Sequence, residues 1–179
     1  MAVRNRADGP YAASVTTSDD YATYIAGLPR VLAGAATLFR DERGRVLLVE
    51  PNYREGWALP GGTIESGDGE TPRQAARRET AEEIGLDLAP GRLLAVDWVR
   101  GAARPPVVAY VYDGGVLAQE RFEEIRLQEA ELLSWRLVDR ADLCAYLPDR
   151  LGRRIGAALG VLDSGAGAAE LEDGEPATG

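Results

Sequence analysis

The sequence predicts a single mixed α/β domain in which one sheet packs against helices. Apolar runs of strand length lie on both sides of a well-delimited amphipathic helix, and further helical sequence follows near the end of the chain. This order of elements is typical of layered α/β domains. A chain of 179 residues, of which 45% are hydrophobic, is long and apolar enough to bury a core of its own.

The first part of the chain predicts a short helix followed by a hairpin. In "SDDYATYIAGLPR", Ser18 is a good N-cap and Pro29 marks a stop, which indicates a helix between them. Two apolar runs flank the turn sequence "DERG", and we expect them to pair as strands Leu32–Phe39 and Val46–Glu50. The next stretch, "PNYREGWALPGG", is rich in turn residues and is expected to be a loop.

The central helix has start and stop signals at both ends. Thr71 suits the N-cap position and Gln74 completes a capping box, while Gly85 is a natural C-cap. Proline at the first helical position agrees with this start, so the predicted helix spans Pro72–Ile84. Residues at a spacing of four are expected to face the sheet: Ala76, Thr80 and Ile84.

The second half of the chain predicts three strands and then helices. The strands lie in "RLLAVDWVR", "PVVAYVYDGG" and "LLSWRLVD", and one or two helices lie in "DRADLCAYLPDRLGRRIGAALGVL". Residues 164–179 are acidic and rich in Gly and Ala, so we expect a disordered, dispensable tail. With a polar arm expected at residues 1–17, the predicted domain spans residues 18–163.

The composition limits the chemistry that this chain can perform. It contains no histidine, and all 20 of its basic residues are arginine. These absences exclude Ser-His-Asp triads, histidine-ligated zinc, lysine Schiff bases and the P-loop lysine. An enzyme of this composition must rely on carboxylates, which favour hard ions such as Mg²⁺, Mn²⁺ or Ca²⁺.

Charge and hydropathy narrow the expected partners and location. A net charge of −9 argues against polymeric nucleic acid but is compatible with a small phosphorylated ligand bridged by metal. No run of about 18 apolar residues and no apolar N-terminal segment is present, so we predict neither a membrane span nor a signal peptide. The single cysteine cannot form an internal disulfide, and a cytoplasmic location is the simplest expectation.

Three carboxylates share one face near the end of the central helix. Glu79, Glu82 and Glu83 lie at spacings of three and four, where like charges repel and oppose the helix dipole. One interpretation is a solvated acidic face, and the other is a cluster that binds divalent cations. The glycines that precede the helix favour the second, since they indicate a chain forced into a tight path: Gly56, Gly61, Gly62 and Gly67.

This stretch resembles the Nudix box, G-x5-E-x7-R-E-U-x-E-E-x-G-U, where U is an aliphatic residue. Thr80 occupies the first aliphatic position, a mild departure. The loop is two residues longer than the pattern, because the first box Glu falls on Asp68 when counted from Gly62 and on Glu70 when counted from Arg78. Which of the two acids takes that position is left open. The matching positions are Gly62, Arg78, Glu79, Glu82, Glu83, Gly85 and Leu86.

The resemblance implies a Nudix-type α/β/α sandwich with a mixed β-sheet that hydrolyses nucleoside diphosphates linked to another moiety, using Mg²⁺ or Mn²⁺. It implies that Glu82 and Glu83 are the main metal ligands and that Glu79 is a further ligand or the base that activates water. Gly61 would offer a backbone carbonyl to a metal, and Arg78 would orient the carboxylates. We expect a small phosphorylated substrate, no nucleic acid polymer, no membrane and a possible homodimer.

Two other functions are compatible with fewer of these features. A nucleotide-binding regulatory module on a Nudix scaffold would bind without turnover, but the intact box carboxylates favour an enzyme. A calcium-binding acidic module is disfavoured because the segment lacks the alternating Asp and Asn ligands of an EF-hand loop.

Residues outside the box are less well defined by the sequence. Nudix enzymes often recruit another carboxylate from a loop, and we prefer Glu129 or Glu131, which directly precede the strand containing Trp135. Nucleoside triphosphates, oxidised nucleotides, ADP-ribose and nucleotide sugars all remain candidate substrates. The other candidate carboxylates are Glu120, Glu123 and Glu124, and the candidate substrate-binding residues are Arg54, Arg100, Arg104 and Trp98, with Tyr110 and Tyr112 as alternative aromatics.

Overall fold

The computed structural model describes residues 18–101 and 104–178. The described residues divide into two units, one that ends at residue 30 and one that begins at residue 31, and the predicted domain span of 18–163 stays a prediction. The predicted arm, residues 1–17, lies outside the described residues. The first unit contains helix α1, Ser18–Ala26, where a short helix is predicted.

The second unit is built on an eight-stranded mixed sheet. Its strands are β1 Leu32–Asp41, β2 Val46–Pro51, β3 Gly61–Thr63, β4 Leu93–Val99, β5 Val107–Leu117, β6 Leu132–Val138, β7 Ala169–Glu172 and β8 Glu175–Pro176. Seven of them follow the order β6-β2-β1-β5-β4-β7-β8, and β3 also pairs with β1. The β1/β5 and β4/β7 pairs are parallel, and the other pairs are antiparallel.

Helices cover both faces of this sheet. Side chains alternate along a strand, so Leu38 packs with Ile155 on one face, while its neighbour Phe39 packs with Ile84 on the other. The predicted α/β/α sandwich is therefore confirmed. The helices of this unit are α2 Pro72–Ile84, α3 Gln119–Glu123, α4 Leu143–Tyr146 and α5 Asp149–Ser164, and short 3-10 turns occur at Ser66–Asp68 and Arg140–Asp142.

Helix α2 forms with the predicted boundaries and caps. Thr71 and Gln74 make both bonds of the capping box, and Gly85 adopts a left-handed conformation with a φ of 74°. The predicted inward stripe is fully buried. Thr80, which departs from the box pattern, donates its hydroxyl hydrogen bond to the Ala76 carbonyl at 2.7 Å. A polar residue is tolerated there because this bond satisfies its hydroxyl.

The predicted loop before α2 is partly wrong. Gly61–Thr63 forms β3, which pairs antiparallel with β1 through Ala36 opposite Gly61. Glycine lacks a side chain, so the segment "PGG" carries no periodic signal for a strand. The segment between β5 and β6, to which the sequence assigned no element, contains α3.

The predicted disordered tail is also wrong for the part of it that the structure describes. β7 pairs with β4, with Ala169 opposite Ala95, and a hairpin turn leads into β8. Leu171 is only 2% exposed and packs in the same core cluster as Leu94. The Asp-Gly turn was a usable hairpin signal, since Gly174 has a φ of 82°.

Within the described ranges, no helix has both the length and the apolar character needed to cross a bilayer.

Candidate active site

Two glycines bring β3 against β1 and beneath α2. Gly61 has a φ of 149°, and a Cβ there would lie 2.3 Å from the Ala35 carbonyl oxygen. A Cβ on Gly62 would lie 2.5 Å from a carboxylate oxygen of Glu79. A larger residue at position 61 would push β3 away from β1, and one at position 62 would push it away from the acidic face of α2. The close approach of β3 to β1 and α2 therefore requires glycine at both positions.

The acidic face of α2 borders a cleft of about 680 Å³. Five carboxylates line it together with one arginine, so it carries a net negative charge. The predicted residues that meet here are Gly61, Arg78, Glu79, Glu82, Glu83 and Glu131, joined by Asn52, Tyr53, Gly62, Thr63, Glu65 and Ala130.

Glu83 is the most deeply buried acid of this cleft, at 4% exposed. One of its carboxylate oxygens accepts a hydrogen bond from the Gly61 N–H at 2.7 Å. Burial raises the pKa of Glu83 to about 7, and the charges of Glu79 and Glu131 act in the same direction, while the Gly61 hydrogen bond and Arg54 oppose them. The surroundings thus leave much of its negative charge uncompensated.

Glu79 and Glu82 lie further toward solvent. Burial raises the pKa of Glu79, with smaller contributions from Glu82 and Glu131, and the hydrogen bond from Arg78 lowers it. The Glu82 side chain is 50% exposed. The three box carboxylates therefore form a gradient from the buried floor to the open rim of the cleft.

Arg78 connects the carboxylates of the cleft to the preceding loop. One terminal nitrogen donates to Glu79 at 2.9 Å and to Glu82 at 3.0 Å. The other donates to the Thr63 carbonyl at 3.0 Å. Glu70 receives two bonds, from Nε at 2.8 Å and from the second terminal nitrogen at 3.0 Å. Such a bidentate pair fixes the plane of the guanidinium.

These contacts identify which acid follows the lengthened loop. Arg78 lowers the pKa of Glu70, whose carboxylate also accepts the Glu65 N–H at 2.8 Å. Asp68 is exposed at the end of a 3-10 turn, Ser66–Asp68. Glu70, and not Asp68, therefore takes the position next to the box arginine. The two extra residues extend the exposed turn.

Backbone hydrogen bonds explain why Glu131 reaches the cleft. The Gln128 N–H donates to the Glu83 carbonyl at 3.0 Å, which holds this loop against the end of α2. The Asn52 N–H donates to the Glu131 carbonyl at 2.8 Å from the opposite side. Both acids are exposed, but Glu131 lines the cleft and Glu129 does not. The other three candidate carboxylates, Glu120, Glu123 and Glu124, lie on or directly after α3, outside this lining.

A second, smaller cleft of about 180 Å³ opens beside the first and shares Gly61 and Gly62 with it. Its walls come mainly from β1, β5 and α5, and they contain Arg54 and Tyr110 as predicted. They also contain Arg154 of α5, which sequence reasoning missed because its helix carries several equivalent arginines. The remaining lining residues are Gly34, Ala35, Ala36, Ala58, Leu59, Ala109, Val111 and Leu151.

The other predicted substrate-binding residues lie outside the linings of both clefts. Arg100 pairs with Glu172 and, at 3.8 Å, with Asp173 of the C-terminal hairpin. Trp98 lies on β4 beside β7 and is 39% exposed. Arg104 is exposed and donates to the Pro105 carbonyl. The C-terminal strands, which the sequence did not predict, lie beside β4 and supply the partners of Arg100. Tyr112, the other aromatic, packs beneath Arg73.

The donors of the larger cleft fit a hard divalent cation. They are carboxylate oxygens, the ligands that Mg²⁺ and Mn²⁺ prefer. Burial raises the pKa of Glu83 because it disfavours the charged carboxylate, and a bound cation would favour that charged form. As placed, no three acidic side chains of the described residues are arranged to chelate one ion. Instead Glu83 bonds to Gly61, while Glu79 and Glu82 pair with Arg78.

A three-layer domain with this carboxylate cleft at its central helix defines the class of Nudix hydrolases. The NUDIX domain family matches residues 30–157, which is most of the chain, and the chain belongs to this family.

Known relatives agree with the class. YjhB of Bacillus subtilis (strain 168), whose name proposes an ADP-ribose pyrophosphatase, is 37% identical over 75 residues, which span 42% of this chain and only 34% of YjhB. A MutT NUDIX hydrolase from Burkholderia pseudomallei has a similar structure, with 26% identity and a TM-score of 0.59 over 72% of this chain and 96% of that one. The MutT protein of Methanosarcina mazei Go1 has 25% identity and a TM-score of 0.57, over 67% of this chain and 86% of that chain.

Proposed function

We propose that this enzyme hydrolyses a pyrophosphate bond in a nucleoside diphosphate linked to another moiety, with Mg²⁺ or Mn²⁺ as its metal. The observation that carries the proposal is the convergence of Glu79, Glu82, Glu83 and Glu131 on one cleft around Gly61. ADP-ribose, the substrate in the name of YjhB, is one member of this substrate class.

The box carboxylates and Glu131 have separate tasks in this proposal. Glu82 and Glu83 would hold the metal, and Glu131 would complete the site from the opposite loop. Glu79 is a further ligand or accepts a proton from the attacking water, a task that suits the raised pKa of its partly buried carboxyl. A metal held by these residues would neutralise phosphate charge and lower the pKa of a water molecule bound to it.

The arginines position these groups and the substrate. Arg78 holds Glu79 and Glu82 in fixed orientations, and Glu70 in turn holds Arg78. Arg54 lines the smaller cleft and is close enough to lower the pKa of Glu83, so it can meet a phosphate at the junction of the two clefts. The nucleoside then occupies the smaller cleft, next to the diphosphate.

A hydrolysis screen tests the proposal. The purified protein is incubated with nucleotide sugars, ADP-ribose, dinucleoside polyphosphates and nucleoside triphosphates, with Mg²⁺, with Mn²⁺ and with EDTA, and products are identified by mass spectrometry. We expect metal-dependent release of a nucleotide from at least one class. Binding of these compounds without any turnover would contradict the proposal and would indicate a regulatory module.

A further inference from the structure

The smaller cleft contains a guanidinium that the proposed hydrolysis does not use. The Arg154 side chain is 14% exposed, and its Nε donates to a carboxylate oxygen of Asp97 at 2.7 Å. Asp97 is fully buried, at 0% exposed. Within the described part of the chain, neither terminal nitrogen of Arg154 has a hydrogen-bond partner. Their N–H groups are therefore available to a ligand in the cleft that Arg154 lines.

Arg154 offers hydrogen bonds with little net charge. Its guanidinium and the buried Asp97 carboxylate form a neutral pair, but the terminal nitrogens remain donors. Arg54, on the same cleft, has no ion pair among the described residues. The smaller cleft thus has two different donors. Arg54, near Glu83, is a cation that can bind phosphate, whereas Arg154, on α5, donates hydrogen bonds as part of a neutral pair.

The surface between these two arginines is apolar and built from small residues. It contains no acidic side chain, and Tyr110 is its one aromatic residue among those described. Small side chains leave room for a flat ring, whereas a phosphate would lose its hydration there without compensation. The small lining residues are Gly34, Ala35, Ala36, Ala58 and Ala109.

We propose that Arg154 determines nucleobase specificity by donating to carbonyl oxygens, and so selects guanine or uracil over adenine. This inference rests on the proposed function. The two clefts share Gly61 and Gly62, so a base in the smaller cleft would lie next to a diphosphate in the larger one. Guanine presents the acceptors O6 and N7 on one edge, and uracil presents carbonyl oxygens. Adenine presents an amino donor beside N7, which would face another donor and leave N–H groups unpaired. ADP-ribose is then among the poorer substrates.

The C-terminal hairpin makes this donor rigid. The second carboxylate oxygen of Asp97 accepts the Gly174 N–H at 3.1 Å. Gly174 has a φ of 82°, and a Cβ there would lie 2.6 Å from the Arg150 carbonyl oxygen, so the turn requires glycine. Asp97 is therefore a positioning residue, fixed by the hairpin on one side and fixing Arg154 on the other. A fixed donor discriminates between ligands better than a mobile one.

Binding measurements test this proposal independently of turnover. Isothermal titration calorimetry with GMP, UMP and AMP is carried out on wild type, Arg154→Gln, Arg154→Lys and, as a matched control, Arg140→Gln. Arg140 is exposed and pairs with Asp163 on the surface. We expect wild type and Arg140→Gln to bind GMP and UMP about 5- to 100-fold more tightly than AMP. Both Arg154 variants should lose this preference, because lysine keeps the charge but not the planar fork.

Several outcomes would overturn the proposal. Wild type could bind AMP as tightly as GMP and UMP, or bind none of the three at millimolar concentrations. Arg154→Gln could weaken the binding of all three nucleotides equally. Arg154→Lys could retain the preference, or inorganic phosphate could compete with the nucleotides for this variant, and either result would indicate a site that recognises charge alone. A protein that binds GMP selectively but hydrolyses nothing would contradict the proposed hydrolysis and leave the specificity proposal intact.

Discussion

At the scale of single residues, Glu83 is where burial and charge conflict most strongly. It lies on the buried floor of the cleft, where Glu79 and Glu131 disfavour its charged form and Gly61 and Arg54 favour it. Carboxylates in the last turn of a helix also oppose the helix dipole. Burial, like-charge repulsion and the helix dipole all disfavour the Glu83 carboxylate in the metal-free protein, and a bound divalent cation would offset them.

This conflict predicts a pH-dependent stability in the absence of metal. The pKa of Glu83 rises from 4.5 to about 7 in the folded protein. Folding therefore favours its protonated form, and the stability linked to Glu83 is complete below pH 4.5 and lost as the pH rises through 7. Across this window, wild type should lose roughly 1–3 kcal/mol of unfolding free energy that Glu83→Gln retains.

Urea unfolding in EDTA at several pH values measures this difference. Glu82→Gln is the matched control. The Glu82 side chain is 50% exposed, so removal of its charge should leave the pH dependence of stability nearly as in wild type. If Glu83→Gln loses stability with pH as wild type does, the buried carboxyl is not the group responsible.

Glu70 should affect catalysis through Arg78. Glu70→Gln breaks the bidentate pair and leaves Arg78 free to reorient away from Glu79 and Glu82. Loss of such a supporting contact should lower kcat by about 10- to 100-fold. Asp68→Asn, in the exposed turn, should keep wild-type kcat. Steady-state kinetics on both variants decides the point, and equal effects would mean that the lengthened loop does not favour Glu70.

At the scale of elements, the C-terminal hairpin should be necessary for stability. β7 adds a strand to the sheet beside β4, and buried Leu171 packs in the core. A truncation after Gly167 removes this side chain and leaves Asp97 without the Gly174 hydrogen bond. We expect the unfolding free energy to fall by at least about 2–5 kcal/mol, the typical cost of removing one buried leucine side chain.

Thermal melting compares this truncation with a control that lacks only the last two residues, 178–179. The control should melt like wild type, because the last backbone bond of the hairpin runs from the Ala177 N–H to the Glu170 carbonyl. An unchanged melting temperature after the longer truncation would show that the hairpin is dispensable, as the composition of the segment alone suggests.

The elements that the sequence predicted well have local signals. Helix α2 carries its own caps, so both its ends could be placed to the residue. β3 and β7 could not be placed this way, because each depends on a partner strand rather than on its own periodicity. β7 contains one buried leucine among acidic and small residues, and the composition of the whole tail predicted disorder instead of a strand.

At the scale of the whole molecule, the site was predictable only where one element carries it. Glu79, Glu82 and Glu83 share a helix, so spacing alone put them together. Choosing Glu131 over Glu129 requires the bonds that dock their loop on α2. Helix α5 packs on the face of the sheet opposite α2, and this packing brings Arg154 to the smaller cleft. No local sequence pattern predicts such a contact.

The central claim is that the carboxylate cleft is a metal-dependent hydrolytic site, and the turnover of Glu83→Gln tests it most directly. The rate of nucleotide release from the best substrate of the screen is measured against Mg²⁺ concentration for wild type and the variant. We predict that the variant folds and that its kcat is about 10²- to 10⁴-fold lower, as for loss of a principal catalytic group. Wild-type turnover by a folded Glu83→Gln protein would contradict the account and would make the acidic helix face a structural feature only.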